Sequence, residues 1–318
     1  MKGTVSVGVD AIRAAAVRIT GFVHCTPVLH STLIDEVTGC TVLFKCENLQ
    51  KGGAFKARGA HNAVLSLTPA ERSRGVATHS SGNHAAALAM AAERLQIPAY
   101  IVMPENAPAP KVAAVRAYGG EITFCAATQA ARESALAALC ARTGAVFIPP
   151  YDDNAVIAGQ GTCALELAKQ LEAAPDALLA PVGGGGLLAG SAVASRAVWP
   201  DTEVIGAEPA GADDARRGFL ARSRLPQTAP HTIADGLRTA LGERNFPLIL
   251  GAVDDILTAD DSTIIAAMRL VMTRLKLVVE PSAVLGLAVL MQHPQRFAGK
   301  RVAVILTGGN VDLDALPW

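Results

Sequence analysis

Residues 177–195 read ALLAPVGGGGLLAGSAVAS, a stretch with no charged side chain. It opens on the short apolar run Ala177–Val182, which is typical of a buried strand. Four consecutive glycines follow at positions 183–186, and a second apolar segment of helical length comes after them. The whole stretch is long enough to span a bilayer, but Pro181 and the glycines interrupt it. We therefore predict a buried strand, a loop and a helix at this place.

The same strand-to-helix order repeats through most of the chain. Short apolar runs alternate with segments of helical apolar spacing, which predicts βαβ units and mostly parallel sheets. The runs outnumber the strands of one ordinary sheet, so the predicted fold class is α/β, with two parallel-sheet domains and a cleft between them. The strand-like runs are Thr41–Cys46, Val76–Ser80, Ala99–Met103, Glu121–Cys125, Ala145–Ile148, Ala177–Val182, Glu203–Ala207 and Arg301–Leu306. Helical spacing marks Asn83–Gln96, Ala131–Thr143 and Thr162–Glu172.

The composition argues against several classes of protein. Lysine and arginine (28) balance aspartate and glutamate (28) without a basic block, so nucleic acid is not an expected partner. None of the six cysteines forms a CxxC pair or stands at a metal-ligand spacing from histidine, which predicts reduced thiols in a cytoplasmic protein. The chain reaches Asp10 and Arg13 before any apolar stretch of signal-peptide length, so we expect neither a signal peptide nor a membrane partner.

Three glycine-bearing segments follow predicted strands. They are Ser80–His84 after the Val76 run, the four glycines after the Ala177 run, and Thr307–Asn310 after the Arg301 run. Ligands of open α/β sheets bind at the carboxyl ends of the strands, beside helix N-termini. The placement of these segments is the first indication of a binding site.

The four glycines, Gly183, Gly184, Gly185 and Gly186, permit three interpretations. Their amides, together with the dipole of the following helix, could bind a phosphate, or the glycines could only make a tight crossover. No Lys-Ser or Lys-Thr follows, so the loop is not a nucleotide P-loop. Residues 184–189 also fit the dinucleotide pattern G-x-G-x-x-A, with Glu208 at the end of the next strand as a ribose acceptor. An NAD-dependent enzyme is therefore an open alternative here.

The other two positions of interest are also ambiguous by themselves. Ser80 or Ser81 can cap the helix that follows, and the same free amides can bind a substrate carboxylate. Lys56 lies among small and apolar neighbours in GGAFKARGA, which suggests partial burial. Burial lowers the pKa of a lysine and makes its amine nucleophilic toward an aldehyde, whereas most lysines are solvated surface charges.

Taken together, the segments resemble a known family. The order G-A-F-K-x-R-G-A around Lys56, then S-S-G-N-H, V-G-G-G-G and L-T-G-G-N is similar to the fold-type-II pyridoxal-5'-phosphate (PLP) enzymes. Within them the chain looks most like the serine/threonine dehydratase and serine racemase family, from Thr26-Pro27-Val28 to Asn310-Val311-Asp312. The resemblance implies a large PLP-binding domain of residues 1–74 plus 152–318, a small substrate-closing domain of residues 75–151, and a homodimer. A single G-x-G-x-x-A match occurs often by chance, so the resemblance outweighs the NAD alternative.

The resemblance also implies roles for individual residues. Lys56 would hold the cofactor as a Schiff base, and Phe55 would pack near the pyridine ring. Asn83 would bind the phenolic oxygen, Gly183 to Gly186 the phosphate, and Thr307 the pyridine nitrogen. A hydroxyl facing that nitrogen does not favour a protonated ring, which suits loss of a group from Cβ.

For the substrate, the resemblance places Ser80, Ser81, Asn83 and His84 around the α-carboxylate of an amino acid. Lys56 would take the Cα proton and the β-hydroxyl would leave, giving a 2-oxo acid and ammonia from L-serine or L-threonine. Ser81 would stand on the opposite face as a second acid or base, so serine racemase is an alternative. A non-catalytic PLP-binding protein would not need both Lys56 and Ser81.

The segment Glu208–Asp214 matches the divalent-cation loop of the family. By this resemblance Glu208, Asp214 and the Ala212 carbonyl would bind magnesium or calcium, which prefer such oxygen ligands. An acidic surface loop is the alternative interpretation.

Several positions depart from the commoner pattern of the family. Ala54 and Ala85 replace serine and glycine, while Val284 and Tyr151 stand where they could reshape the substrate pocket. Arg132 could approach a second carboxylate, which would suit threo-3-hydroxyaspartate dehydratase. The sequence ends soon after Thr307, so we expect no C-terminal regulatory domain like that of biosynthetic threonine dehydratases.

Overall fold

A computed structural model describes residues 7–318 of the protein. The first six residues lie outside the described residues. They belong to the predicted large domain and to the N-terminal stretch in which we expect no signal peptide. Ten strands form in the described part of the chain. They are β1 (Val28–His30), β2 (Thr41–Cys46), β3 (Val76–His79), β4 (Ala99–Pro104), β5 (Glu121–Cys125), β6 (Val146–Phe147), β7 (Ala177–Pro181), β8 (Glu203–Pro209), β9 (Asp255–Ala259) and β10 (Arg301–Leu306).

The strands make two sheets. The larger sheet has the order β1-β2-β10-β7-β8-β9 and the smaller one the order β5-β4-β3-β6. Neighbouring strands are parallel throughout, except that the edge strand β1 runs antiparallel to β2. The predicted α/β class with parallel sheets is thus confirmed. The smaller sheet lies within residues 76–147, while the exact domain boundaries remain a prediction.

Helices cover both faces of the sheets. None of those formed by residues 7–318 is long and apolar enough to cross a bilayer. The helices are α1 (Val9–Arg18), α2 (Thr32–Thr38), α3 (Lys56–Leu65), α4 (Pro69–Arg74), α5 (Asn83–Arg94), α6 (Ala109–Ala117), α7 (Gln129–Thr143), α8 (Asn154–Gln170), α9 (Gly186–Val198), α10 (Asp214–Ala221), α11 (Asn245–Ala252), α12 (Asp261–Leu270), α13 (Leu285–Gln292) and α14 (Pro294–Phe297).

Strand β10 shows why the larger sheet has two cores. Val302, Val304 and Leu306 belong to the core on one face, while Ala303 and Ile305 belong to the core on the other. Successive side chains of a strand point to opposite faces, so a strand covered on both sides is a continuous apolar run. This explains the uninterrupted run 302–306 in the sequence.

The observed elements extend or trim the predicted ones at a few places. Helix α8 begins at Asn154, eight residues before the predicted start, because the Asp153 side chain accepts hydrogen bonds from the amides of Ala155 and Val156 and caps the helix. Strands β1 and β9 were not predicted. They are the two edge strands of the larger sheet and have only three and five residues, so their apolar pattern in the sequence is weak.

The sheet order brings the predicted loops together. Strands β2, β10 and β7 are neighbours, and their carboxyl ends lead toward Lys56, to Thr307 and to the four glycines. The amide of Phe55 donates to the carbonyl of Thr307 at 3.0 Å, and the amide of Gly309 donates to the carbonyl of Gly53 at 2.9 Å. The segment before α3 is therefore fastened to the end of the central strand.

Candidate active site

Lys56 is the first residue of α3. Its Nζ donates to the carbonyl of Pro150 at 2.7 Å and lies 5.0 Å from the centre of the Phe55 ring. Burial lowers the pKa of Lys56 to about 8, although the nearby Glu280 carboxylate partly opposes the shift. An appreciable fraction of the amine is therefore neutral near pH 7, as a nucleophile or base requires.

A buried ionic network lies under the first turn of α3. The Arg58 guanidinium donates to both oxygens of Glu47 at 2.8 and 2.7 Å, and also to Glu166 at 2.8 Å. Lys45 pairs with Glu166 as well. Arg58, Glu47 and Lys45 are almost completely buried, so each charge depends on its partner to offset desolvation. The network fixes the helix that carries Lys56.

The glycine loop has the properties of an anion site. Gly185, with a φ of 91°, is the N-cap of α9, a left-handed conformation that glycine adopts without strain. Within residues 7–318, the amides of Gly183 to Gly185 have no backbone acceptor. The amide of Gly186 is at the first position of α9, where no intrahelical acceptor exists. These donors, added to the positive end of the helix dipole, favour a phosphate.

Tyr151 packs directly on this loop. A Cβ placed on Gly184 would lie 2.2 Å from the Cγ of Tyr151, so the ring rests against the bare Cα of the glycine. The carbonyl of Gly184 accepts hydrogen bonds from the Asn245 side chain at 2.7 Å and from the Gly242 amide at 3.1 Å. The loop is thus held from two sides by contacts within the protein.

The turn Ser80–Gly82 leads from β3 into α5. The prediction that Ser80 or Ser81 caps this helix is wrong. Gly82 is the N-cap residue, and no side chain caps the helix. Ser80 Oγ instead accepts a hydrogen bond from the Gly82 amide at 3.3 Å, which tightens the turn before the helix. Consequently the first amides of α5 are not occupied by a serine cap, and Ser81 is partly exposed at the turn.

Asn83 joins the two sheets of the protein. Its Nδ2 donates to Glu280 Oε1 at 2.7 Å, and its Oδ1 accepts from Asn310 Nδ2 at 2.9 Å. Burial, followed by the charge of Asp235, raises the pKa of Glu280 to about 7. The sequence reasoning gave no role to Glu280. Glu280 is itself buried, next to buried Val279. Burial of an acidic side chain is unusual and indicates a specific partner.

His84 was predicted to help bind the substrate, but its imidazole lies in the core. The ring is 2% exposed, and Nε2 is 3.1 Å from the carbonyl of Ile148. Burial, with the charge of Lys56 as the next cause, lowers the pKa of His84 to about 3, so the ring is neutral. The backbone amide of His84, at the start of α5, is free to bind a carboxylate, while the ring Nδ1 is buried without a hydrogen-bond partner among residues 7–318.

Glu208 and Asp214 lie close together at the end of β8, and both are buried. The Glu208 carboxylate accepts hydrogen bonds from the Ala215 and Arg216 amides, each at 2.8 Å, and so caps α10. Burial is the main cause that raises the pKa of Glu208 to about 8 and that of Asp214 to about 6.

The remaining predicted residues lie on three different parts of the fold. Thr307 is buried at the end of β10, beside Phe55. Ala212 is buried in the turn before α10. Arg132, on α7, has a buried Nε without a hydrogen-bond partner, and its charge contributes, after burial, to lowering the pKa of His79 at the end of β3. Among residues 7–318, no cluster of three or more acidic, histidine or cysteine side chains forms a ready metal site.

Comparison with known proteins settles the family. A family model described as pyridoxal-phosphate dependent enzyme matches residues 19–308. The chain belongs to this family. The PLP enzyme is 48% identical over 305 residues to the beta-hydroxyaspartate dehydratase of Paracoccus denitrificans, covering 96% of each chain. The structure of maize serine racemase matches with a TM-score of 0.95 at 44% identity, over 97% of this chain and 95% of the other. The structure of a T.th. threonine deaminase matches with a TM-score of 0.92 at 46% identity, over 96% and 99%.

These matches confirm the predicted fold-type-II family and replace the dinucleotide interpretation of the glycine loop. The residues of the site also fit the cofactor. Lys56 offers an amine that is partly neutral, the amides of the glycine loop are free to bind a phosphate, and Phe55 and Thr307 lie next to each other beside Lys56. The individual assignments of residues to cofactor atoms remain predictions.

Proposed function

We propose that this PLP enzyme is an ammonia-lyase that converts a small β-hydroxy amino acid, L-serine or L-threonine, into a 2-oxo acid and ammonia. The observation that carries the proposal is Lys56, a lysine with a pKa of about 8 at the junction of the glycine loop, Thr307 and the start of α5. The relatives named serine racemase, threonine deaminase and hydroxyaspartate dehydratase support this class of substrate.

The residues of the site divide the work. Bound PLP would supply the electron sink that weakens the Cα–H bond and allows the β-hydroxyl to leave. The neutral amine of Lys56 takes the Cα proton as a general base. The free amides of Asn83 and His84 at the start of α5 bind the α-carboxylate. Ser81, at the turn before them, is the candidate proton donor on the other side, and its presence would permit racemisation.

A second candidate substrate is threo-3-hydroxyaspartate. The observation that favours it is Arg132, because a guanidinium with an unpartnered buried Nε can bind a second carboxylate. The 48% identical relative is named for hydroxyaspartate. With this substrate, Arg132→Ala should lower kcat/KM by about 10- to 100-fold, the effect of losing one charge-assisted hydrogen bond of ~1.5–3 kcal/mol. Turnover of L-threonine should stay within about twofold, and Arg116→Ala on exposed α6 is the matched control.

Three further assignments belong to the proposal. Glu208, Asp214 and the Ala212 carbonyl would bind magnesium or calcium, since two buried carboxyls with raised pKa values are an arrangement that a divalent cation would neutralise. The six cysteines are unpaired, in agreement with a cytoplasmic protein. A homodimer is proposed from the family resemblance.

The test uses purified protein with added PLP. Wild type should show an absorbance band at ~410–420 nm, typical of a cofactor bound to a lysine amine, and should release 2-oxo acid from at least one of L-serine, L-threonine and threo-3-hydroxyaspartate. Lys56→Ala should lose both the band and the activity, whereas Lys51→Ala, at a half-buried lysine whose ammonium group contacts the Gly21 carbonyl, should keep both. A wild-type protein that binds PLP but leaves all three substrates unchanged would refute the lyase, and formation of D-serine alone would assign a racemase.

A further inference from the structure

An ion pair crosses the cleft beside the candidate active site. Lys111 lies on α6, which packs with the smaller sheet, and its Nζ donates to Asp235 Oδ2 in the short turn Asp235–Leu237 above the larger sheet. The Lys111 side chain is 18% exposed and that of Asp235 is 42% exposed. The sequence separation of 124 residues shows that the contact is tertiary and not a feature of one helix.

The pair also lies near the turn that leads into α5. A Cβ on Gly82 would lie 3.9 Å from Lys111 Nζ, and apart from its chain neighbours no other atom of residues 7–318 would be within 4 Å. Gly82 is the residue between Ser81 and Asn83, so the ammonium group lies near the turn that carries the candidate substrate-binding amides.

A second contact between the two sheets lies close by. Asn83 donates to Glu280, and both Asp235 and Lys111 lie near enough to Glu280 for their charges to act on it in opposite directions. Removing Lys111 would leave Asp235 and Glu280 as neighbouring carboxylates with one compensating cation fewer. Removing Asp235 would free the ammonium to move away from the turn. Each change disturbs the geometry around Asn83 as well.

We propose that Lys111 and Asp235 are a positioning pair that holds the Ser80–Gly82 turn and the first turn of α5 against the larger sheet during the reaction. Neither residue touches the reacting atoms. This inference rests on the proposed function, because it assumes that the substrate carboxylate binds at the start of α5. An isolated surface ion pair stabilises a protein only weakly, so its effect should appear in the ordering of this turn and in kcat/KM, and hardly in global stability.

The experiment compares Lys111→Met, Asp235→Asn and the double variant with a control pair. Lys300 and Glu203 form the control, since their ion pair of 2.9 Å is similarly accessible but lies wholly on the larger sheet. In PLP-bound protein without substrate, hydrogen–deuterium exchange at residues 80–85 should be faster in both cleft variants, and unchanged in Lys300→Met and Glu203→Gln. The thermal midpoint of all variants should stay close to that of wild type.

Kinetics give the second readout. Each cleft variant should lose about five- to tenfold in kcat/KM, equivalent to ~1–1.4 kcal/mol, and the double variant should be no worse than the poorer single one. The charge-reversed pair Lys111→Asp with Asp235→Lys should recover at least half of the loss. Cleft variants that match the control variants in both readouts, or losses that simply add in the double variant, would overturn the inference. If wild type proves inactive on every β-hydroxy amino acid, the proposed function fails, while the exchange experiment still tests the ion pair.

Discussion

Replacing Gly184 with alanine tests how the glycine loop is built. The added methyl would lie 2.2–2.4 Å from three carbons of the Tyr151 ring, whereas carbon atoms in contact are normally ~3.5–4.0 Å apart. The ring would therefore have to move by more than about 1 Å, and overpacking of this kind costs ~1–3 kcal/mol. The backbone of Gly184 is not left-handed, so the cost is steric alone. We expect the urea midpoint of the PLP-free protein to fall accordingly, with PLP affinity reduced as well.

Two further variants make the test decisive. Gly251→Ala is the control, because an alanine there meets no described atom within 4 Å on an exposed face of α11 and should be neutral or stabilising by ~0.5–1 kcal/mol. Tyr151→Ala removes the obstacle, so Gly184→Ala should cost at least ~1 kcal/mol less in the Tyr151→Ala background. The reasoning is refuted if Gly184→Ala behaves like Gly251→Ala, or if the Gly184 and Tyr151 effects are additive.

Three other predictions concern charge. Reconstitution of PLP-free protein, followed by absorbance, should be about tenfold faster at pH 9 than at pH 7, because the neutral fraction of Lys56 rises about tenfold around its pKa of about 8; a flat profile would contradict this. The pKa of His84 is about 3 in the folded protein, against an ordinary value of 6.5. Between pH 6.5 and pH 3 the imidazole is therefore protonated only in the unfolded chain, and the free energy of unfolding falls as the pH decreases through this range. His84→Gln should remove up to about 1.4 kcal/mol per pH unit of that slope in urea titrations between pH 6 and 4.5, and an unchanged slope would count against the buried neutral ring. A chelator should lower the unfolding temperature of the wild type. The loss is equivalent to about 2.7 kcal/mol if the cation was present at 100 times its Kd. The double variant Glu208→Gln, Asp214→Asn should not respond to the chelator, and equal responses of the two proteins would argue against the cation site.

Much of the fold was readable from local patterns. The bounds of β2, β5 and β10 agree with the predicted runs. For β10 the reason is its burial on both faces, which makes the strand apolar without interruption. The same logic placed the glycine loop and Thr307 at neighbouring strand ends. The family resemblance then joined Lys56 to these loops, which spacing alone could not do.

The parts that were missed depend on contacts between distant residues. Glu280 meets Asn83 across 197 positions and Lys111 meets Asp235 across 124, and neither pair leaves a periodic signal in the sequence. The family resemblance placed His84 at the substrate carboxylate, and this role remains a prediction, whereas the packing of its ring beside the Ile148 carbonyl was not predicted. The direction of a side chain at the start of a helix depends on what the tertiary fold places beside it.

The order of strands in the larger sheet has a consequence for synthesis of the protein on the ribosome. Strand β10 is hydrogen-bonded to both β2 and β7, yet it is the last of the described strands to be translated. Until it emerges, β2 and β7 have no common neighbour, and each offers an unpaired parallel edge to any other chain. The nascent protein thus cannot complete its central sheet, or bring Thr307 to Lys56, before residues 301–307 have been made. Such late, long-range strand pairing is slow and exposes the chain to aggregation. The yield of active enzyme should therefore depend on how well the unpaired edges of β2 and β7 are protected during translation.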